Sequence, residues 1–315
     1  DQVREIIQRA VTGDGKPPKH IVFYAHGGLN SVKGSAARAV AWRNAFMRNS
    51  IHELHFIWET GMWEELRDVL LGKEESAKKR AGGLSDWWDR MIERATHSLG
   101  HALWKEMQSD AANAFQDKEK AGSKTLAMFI DELEQLTPGR RPKLHLVGHS
   151  AGSIWIAHLL GRWRSMQEIK PNFDNVILFA PACTTDLYNE HIFPAIKDGT
   201  VGKLHHFFLD AETERSDSVA NVYRKSLLYL VSRSYQKRGD IVPIMGMQIY
   251  VDRGLLREDG IKTRICHYNT KDNWDWTTSS SHGGFDNDPA TMNSMLKLVL
   301  GHKPKEFKME ELEGY

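Results

Sequence analysis

The segment Gly148-His149-Ser150-Ala151-Gly152 constrains this 315-residue chain more than any other feature. The alternating apolar run of residues 143–147 precedes it and predicts a buried strand, and the apolar run of residues 154–160 follows it and predicts a helix. A serine at a tight turn between strand and helix is held in a strained backbone conformation with its hydroxyl exposed. The two glycines leave room for strand and helix to pack closely, and the helix N-terminus directs free N–H groups at the serine.

A second motif lies upstream, and it is needed because Gly-x-Ser-x-Gly occurs by chance in about one chain in ten of this length. Residues 20–25 predict a buried strand that leads directly into the glycine-containing segment 26–30, His-Gly-Gly-Leu-Asn. Glycines there allow the backbone to approach a substrate and turn its N–H groups toward it. A plain glycine turn is the alternative. We interpret the segment as an oxyanion hole. Its predicted site residues are His26 and the amides of Gly28, Leu29 and Ala151.

A third motif lies near the C-terminus, where the small residues of the stretch 279–286 separate a strand-like run at 263–268 from a helical run at 290–300. A histidine on a loop at this place can reach the serine as a general base. His282 is therefore the candidate base among fifteen histidines. The weaker rivals are His267 and His302, whereas His145, His205 and His206 are predicted to lie in the core or on the sheet.

In these three motifs the chain resembles the α/β-hydrolase fold family, in its esterase and lipase branch. The resemblance extends from the strand at Ile21 to the helix that ends near Leu300. It implies an α/β fold with a mainly parallel central sheet flanked by helices, formed by one domain over residues 1–315. It also implies a catalytic triad in the chain order serine, acid, histidine, so that the acid lies between Ser150 and His282. No cofactor is implied.

Three aspartates compete for the role of the acid. The family places the acid after the second strand that follows the elbow helix, and here that strand is predicted at residues 203–209. Asp217 lies a few residues beyond this strand and before the helical run 222–232, and we choose it as the acid. Asp210 and Asp186 are the alternatives. The non-catalytic interpretation of Asp217 is a helix N-cap.

Residues 61–122 are predicted to form a helical insertion between the strand-like run 54–58 and the helical run 125–133. Its helix begins near Ser85. An apolar stripe follows at helical spacing: Trp88, Met91, Ile92, Ala95, Leu99 and Leu103. Periodicity alone does not distinguish a lid over the substrate pocket from a helix packed on the core or a helix at a lipid surface. For a lid, Trp88→Ala should raise KM most for long-acyl esters.

The net charge, the hydropathy and the cysteine content limit the kinds of partner and the location that we expect for this chain. The net charge of +1 gives no reason to expect nucleic acid or an anionic membrane surface. No apolar stretch approaches the length of a transmembrane helix, so stable membrane insertion is not expected. Cys183 and Cys266 show neither metal-ligand spacing nor a disulfide framework, and no metal is expected. No signal peptide is visible, so the cytoplasm is the default compartment; because the chain begins at Asp1, a removed leader stays open.

These features predict a serine hydrolase that cleaves a small uncharged or lipid-like carboxylic ester. His282 takes the proton of Ser150, Asp217 holds the imidazole, and the backbone amides stabilise the oxyanion. Two alternatives stay open. One is a lipase or phospholipase whose insertion exposes an apolar surface to lipid. The other is a ligand-binding receptor or scaffold of the same fold with little catalysis.

Overall fold

The centre of the molecule is a six-stranded sheet in which neighbouring strands are all parallel, in the order β2-β1-β3-β4-β5-β6. The computed structural model describes residues 2–13, 17–28, 31–58, 85–166, 171–220, 222–237, 239–261, 263–269 and 276–313, with side chains from Asp89 onward in the fourth range. The strands are β1 His20–Ala25, β2 Ile51–Phe56, β3 Lys143–His149, β4 Phe173–Phe179, β5 Val201–Phe208 and β6 Arg264–Tyr268. The protein is therefore of the α/β class, as the sequence predicts.

Helices cover both faces of this sheet. The long ones are α1 Gln2–Thr12, α2 Val32–Arg48, α3 Ser85–Asn113, α4 Ala121–Glu134, α5 Gly152–Ser165 and α6 Pro289–Leu300. Apolar side chains of α1, α3, α4 and α5 form one buried cluster with one face of the sheet, and those of α2 and α6 form a second cluster with the other face. Shorter helical turns are Pro138–Arg140, Thr185–Leu187, Tyr188–Ile192, Phe193–Lys197, Ala211–Ser216, Leu227–Leu230, Val231–Tyr235, Gln248–Val251, His282–Gly284 and Met309–Glu311.

The strand order reverses between β1 and β3. Strand β1 pairs with β2 on one side and with β3 on the other, and in the latter pair Ala25 lies opposite Gly148. In open parallel sheets such a reversal opens a crevice at the carboxyl ends of the two strands, where ligands bind. The register thus brings the segment after β1, residues 26–28, beside the turn after β3, residues 149–151.

Two predicted elements differ from the structure. The strand expected at 54–58 begins instead at Ile51, because β2 is an edge strand whose half-buried residues do not show a continuous apolar run. The helix expected over 222–232 is confined to Leu227–Leu230 and the following π-helical turn to Tyr235. The residues before it are held by α3 instead, since Tyr223 donates a hydrogen bond to Glu93 and Lys225 forms an ion pair with Asp89.

Helix α3, within the predicted insertion, packs on the segment 223–236 and on α5, and its buried stripe differs from the predicted one. Its buried residues are Asp89, Ile92, Thr96, Gly100, Trp104, Met107 and Ala111. Of the predicted stripe, Ile92 is buried, Met91, Leu99 and Leu103 are half-buried, and Ala95 is exposed. Gly100 is needed for close approach, because a Cβ atom there would lie 2.2 Å from the ring of Tyr235. Residues 61–84 and the Trp88 side chain lie outside the described residues, so the lid stays a prediction.

Among the helices of the described ranges, none combines the length and the apolar character that crossing a membrane requires. Cys183 and Cys266 are both free thiols. Cys183 follows β4 and Cys266 lies in β6. Because β5 lies between these two strands, the cysteines do not belong to neighbouring strands.

Four histidines and one asparagine form a hydrogen-bonded row across five strands, on the α6 side of the sheet. The contacts join His20 Nδ1 to His145 Nε2 (3.1 Å), His145 Nδ1 to Asn175 Nδ2 (3.1 Å), Asn175 Oδ1 to His205 Nε2 (3.3 Å) and His205 Nδ1 to His267 Nε2 (3.2 Å). Burial lowers the pKa of His145 and His205 to about 3 and that of His267 to about 4, and it also lowers the pKa of His20. The histidine row is therefore uncharged at neutral pH.

We expect the histidine row to make the fold acid-labile. The unfolded histidines, with pKa values near 6.5, bind protons before the folded ones, so the stability is complete above pH 6.5 and is lost as the pH falls toward 3–4. At pH 5 each strongly shifted histidine costs about 2 kcal/mol. Urea unfolding at pH 7, 6 and 5 measures this loss, and His205→Gln should make the free energy of unfolding less pH-dependent. A wild-type free energy that stays constant over this range would contradict the expectation.

Candidate active site

The turn after β3 has the strained geometry that the sequence predicts. Ser150 has a φ angle of +51°, in the left-handed region that non-glycine residues rarely adopt. A Cβ atom at Gly152 would lie 2.0 Å from the carbonyl oxygen of Ala25, and one at Gly148 would lie 2.6 Å from Ile156 Cδ1. Both glycines are thus required by close packing of α5 against β1 and β3, which confirms their predicted role.

Hydrogen bonds hold this turn in place. The amide of Ser150 donates to the carbonyl of Phe179 at 2.9 Å. The carbonyl of Ser150 accepts from the Ala182 amide at 3.0 Å and from the Ser153 hydroxyl at 2.7 Å. Ser153 in turn accepts from the amide of Cys183 at 3.0 Å. These bonds tie the turn to the end of β4 and compensate for the strain at Ser150.

His282 reaches the serine side chain. Its Nε2 atom lies 2.9 Å from Ser150 Oγ, and both residues are buried, so the predicted exposure of the serine hydroxyl is wrong. The pKa of His282 is lowered to about 3, chiefly by burial and also by the nearby charge of His149, while Asp286 opposes the shift. The imidazole is therefore neutral at pH 7 and can accept the Ser150 proton. Its other nitrogen, Nδ1, is buried without a hydrogen-bond partner in the described part of the chain.

Asp217 contacts the main chain of His282. Its Oδ2 atom accepts the His282 amide at 2.8 Å, and Oδ1 accepts the Ser218 amide at 2.7 Å. Burial raises the pKa of Asp217 above its ordinary value, although these two amides oppose the shift. The structure thus brings Ser150, His282 and Asp217 together, with the carboxylate on the backbone of the histidine and not on its ring.

The two rival aspartates lie elsewhere. Asp210 is the N-cap of the helix Ala211–Ser216 and accepts hydrogen bonds from the amides of Glu212 and Thr213. Asp186 is an exposed residue in the first turn of the helix Thr185–Leu187. Neither makes a hydrogen bond to His282 within the described residues. Asp217 is not an N-cap: it is the C-cap of the helix Ala211–Ser216, and the N-cap of the helix Leu227–Leu230 is Ser226.

Two of the three predicted oxyanion donors follow the adjacent strands β1 and β3. The amide of Ala151 lies directly before α5, is fully buried, and has no hydrogen-bond partner among the described residues. The same holds, over the described ranges, for the amide of Gly28. Leu29, the third predicted donor, lies outside the described residues. Buried N–H groups without an acceptor among the described residues are the donors that a developing oxyanion needs.

Both ring nitrogens of His26 form hydrogen bonds with main-chain groups. Its Nδ1 donates to the carbonyl of Gly27 at 2.8 Å, and its Nε2 accepts the amide of Trp58 at 3.3 Å. Burial lowers the pKa of His26 to about 4, so the ring stays neutral. Because the Gly27 carbonyl and the Gly28 amide belong to one planar peptide and point in opposite directions, fixing the first fixes the second. The contact of His26 with the Gly27 carbonyl thus fixes the orientation of the Gly28 amide.

A buried ionic cluster next to the site was not predicted. Asp286 Oδ2 lies 2.9 Å from the Tyr24 hydroxyl, 2.9 Å from Arg38 Nη1 and 3.1 Å from His149 Nδ1. Burial alone raises the pKa of Asp286, but the charges of His149 and Arg38 outweigh it and hold the pKa well below the ordinary value. Asp286 is therefore an ionised carboxylate with only 1% of its surface exposed.

His149 links this cluster to the candidate base. Its Nδ1 faces a carboxylate oxygen of Asp286, and its Nε2 faces the carbonyl oxygen of His282 at 2.9 Å. Both partners only accept hydrogen bonds, so both nitrogens of His149 donate and the ring is cationic. His282 is thus held on both sides of its main chain, by Asp217 at the N–H group and by His149 at the carbonyl.

The described residues contain no group of three or more histidine, cysteine, aspartate or glutamate side chains arranged to hold a metal ion. Comparison with known proteins finds no family model, no curated protein and no solved structure that matches this chain.

Proposed function

We propose that this protein is a serine hydrolase of the α/β-hydrolase fold that cleaves uncharged carboxylic esters through an acyl-enzyme on Ser150. The observation that carries the proposal is the 2.9 Å contact between Ser150 Oγ and His282 Nε2 at a strained strand–turn–helix junction. The position of this contact at the switch point of a parallel sheet and the chain order serine, aspartate, histidine support it further.

In the proposed reaction, His282 Nε2 takes the Ser150 proton as Oγ attacks the ester carbonyl carbon. The resulting oxyanion accepts hydrogen bonds from the Ala151 and Gly28 amides, and one such donor contributes about 10²–10³ in rate. The imidazolium then gives its proton to the leaving alcohol, and the acyl group stays on Ser150. A water molecule, deprotonated by His282, attacks the acyl-enzyme, and collapse of the second oxyanion returns the proton to Ser150.

The proposed role of Asp217 and of the ionic cluster is to hold His282 in position. Because Asp217 binds the amide and His149 binds the carbonyl, the main chain of His282 has little freedom to rotate. The ring then points Nε2 at Ser150 while Nδ1 keeps its proton. Asp217 is the carboxylate bound directly to this residue, and we propose that it holds the imidazole in place through the His282 main chain.

Asp217→Asn should lower kcat/KM by about 10²–10⁴-fold, because the side-chain amide can accept only one of the two main-chain N–H groups that the carboxylate holds, so the position of His282 is loosened. Asp210→Asn should change kcat/KM by no more than about twofold, since asparagine caps a helix as well as aspartate. Asp186→Asn, at an exposed position, should behave like Asp210→Asn. Turnover of a short soluble ester by the three purified variants measures the order, and a larger loss in Asp210→Asn with folding intact would refute the assignment.

The function itself is tested on the wild-type protein with a fluorophosphonate probe and a panel of esters of graded acyl length. Covalent labelling together with turnover of soluble short-chain esters is the expected result. Activity that appears only on emulsified long-chain substrate would indicate the lipase or phospholipase alternative. Absence of both labelling and turnover would favour a ligand-binding protein of this fold and would refute the proposal.

A further inference from the structure

A basic cavity lies at the edge of the sheet opposite to Ser150. It has a volume of about 620 Å³ and is lined at the N-terminal ends of β1 and β3 by Pro17, Pro18, Lys19, His20, Gly139, Arg140, Arg141, Lys143, Leu300 and His302. The seven residues of β3 separate it from the serine by roughly 20 Å. The cavity therefore belongs to a different site from the proposed catalytic one.

The lining of this basic cavity is strongly positive in a protein that is nearly neutral. Four lysine or arginine residues and two histidines line it, whereas the whole chain carries a net charge of only +1. Within the described ranges, Lys143 has an acidic neighbour, Asp174, whose carboxylate lies 3.7 Å from Lys143 Nζ on the surface. These positive charges affect His20. Burial is the largest cause of its lowered pKa; Lys143, His302 and Lys19 also lower the pKa, and Asp174 raises it.

The histidine row fixes which hydrogen-bonding group His20 offers to the cavity. The amide nitrogen of Asn175 lies 3.2 Å from the carbonyl oxygen of Leu298, which can only accept, and this contact fixes the amide orientation. The same nitrogen therefore donates to His145 Nδ1, and His145 Nε2 must carry its proton and donate to His20 Nδ1. With Nδ1 accepting, neutral His20 carries its proton on Nε2.

His20 thus presents an N–H donor, and not a lone pair, in the basic cavity. The residue is 92% buried, and within the described residues no acceptor binds its Nε2. An N–H donor surrounded by four permanent cations matches an anion with several acceptor oxygens. A metal cation would be repelled by the lysines and arginines and would find no lone pair on this histidine.

We propose that the basic cavity binds a phosphate group carried by a small molecule or by a lipid headgroup. Phosphate fits better than a lone carboxylate because it offers three acceptor oxygens and up to two negative charges to cations that converge from β1, β3 and the turn 138–141. The volume lies within the range of ordinary small-molecule sites, so the remainder of a phosphorylated sugar or inositol ring is accommodated as well. This site does not depend on the proposed hydrolase activity.

Isothermal titration of the full-length protein with pyrophosphate tests the proposal. Saturable binding is expected, and it should weaken as the salt concentration rises. The double variant Lys19→Gln/Lys143→Gln should raise Kd by about tenfold or more. The matched double variant Lys124→Gln/Lys197→Gln removes two exposed lysines elsewhere and should change Kd by less than about twofold.

Vesicles distinguish the two sources of the phosphate group. Cosedimentation with phosphatidylinositol-phosphate vesicles, but not with phosphatidylcholine vesicles, would assign a lipid headgroup, and pyrophosphate binding without cosedimentation would assign a soluble ligand. Melting temperatures verify that each variant is folded. No saturable heat with pyrophosphate up to about 10 mM, or equal weakening in both double variants, would overturn the proposal.

Discussion

Replacing Ser150 with alanine should reduce ester turnover by about 10⁴–10⁶-fold while the protein stays folded. The proposed nucleophile is the Oγ atom 2.9 Å from His282, and the substitution removes only that atom. The hydrogen bonds that hold the turn use the amide and carbonyl of Ser150, so the turn survives. His282→Ala should cost nearly as much, and the double variant little more than either, because the two residues act as one unit.

The control for this experiment is Ser165→Ala, which removes an exposed serine at the other end of the same helix, α5. It should retain both turnover and fluorophosphonate labelling. Steady-state kinetics, labelling and melting temperature are measured on the same purified samples. Turnover that persists in Ser150→Ala after repeated purification would sink the serine-hydrolase proposal, whatever the behaviour of the histidine variant.

Asp286→Ala should destabilise the protein by about 3–5 kcal/mol. Asp286 is the buried anion between Arg38 and His149, and its removal leaves two buried cations next to each other without a counter-charge. In the fraction that stays folded, kcat should fall more than KM changes, because His149 then no longer holds the carbonyl of His282. Denaturant unfolding and steady-state kinetics measure the two effects.

Tyr24→Phe is the matched comparison for Asp286→Ala. It removes one hydrogen bond of 2.9 Å to the same carboxylate but leaves both cations paired, so a loss of only about 1 kcal/mol is expected. If the two variants lose similar stability, the ionic cluster does not carry the charge balance assigned to it. If Asp286→Ala does not fold, Asp286→Asn takes its place in the comparison with Tyr24→Phe. Asparagine removes the negative charge but keeps the shape of the side chain, so it disturbs the packing less.

The parts of the site that the sequence predicts are those with local causes. The glycines at 148 and 152 and the strand at residues 20–25 follow from backbone geometry and from apolar runs that are buried on both faces. The contact of Ser150 with His282 agrees with the family resemblance, which supplies the order of the motifs along the chain. None of these inferences requires knowledge of a distant side chain.

The ionic cluster had no comparable local signal. Its members come from β1, from the middle of α2, from the end of β3 and from the turn before α6, so only the assembled fold brings them together. His149 stands at the variable position of the motif, where many residue types are expected. The one sequence feature that points to the cluster is the position of Asp286, four residues after His282.

The sequence likewise contains no local signal that distinguishes Asp217 from the other candidate acids. Chain order narrows the acid to a region after β5, but it does not distinguish a helix cap from a partner of His282. In the structure Ser226 is the N-cap of the helix that follows, and Asp217 contacts the His282 amide. The helix expected over 222–232 was wrong for a related reason: its first residues are captured by side chains of α3, far away in sequence.

The pairing of β1 with both β2 and β3 has a consequence for biosynthesis. His20 pairs with Ile51 on one side and with Lys143 on the other, so one edge of β1 is covered early and the other only after more than a hundred further residues have been made. At about 5–20 residues per second the ribosome takes roughly 6–25 s to supply β3. During that time an apolar strand of the nascent chain offers an open edge to its neighbours on the same polysome. Much of this delay arises because the predicted insertion, residues 61–122, is synthesised before β3.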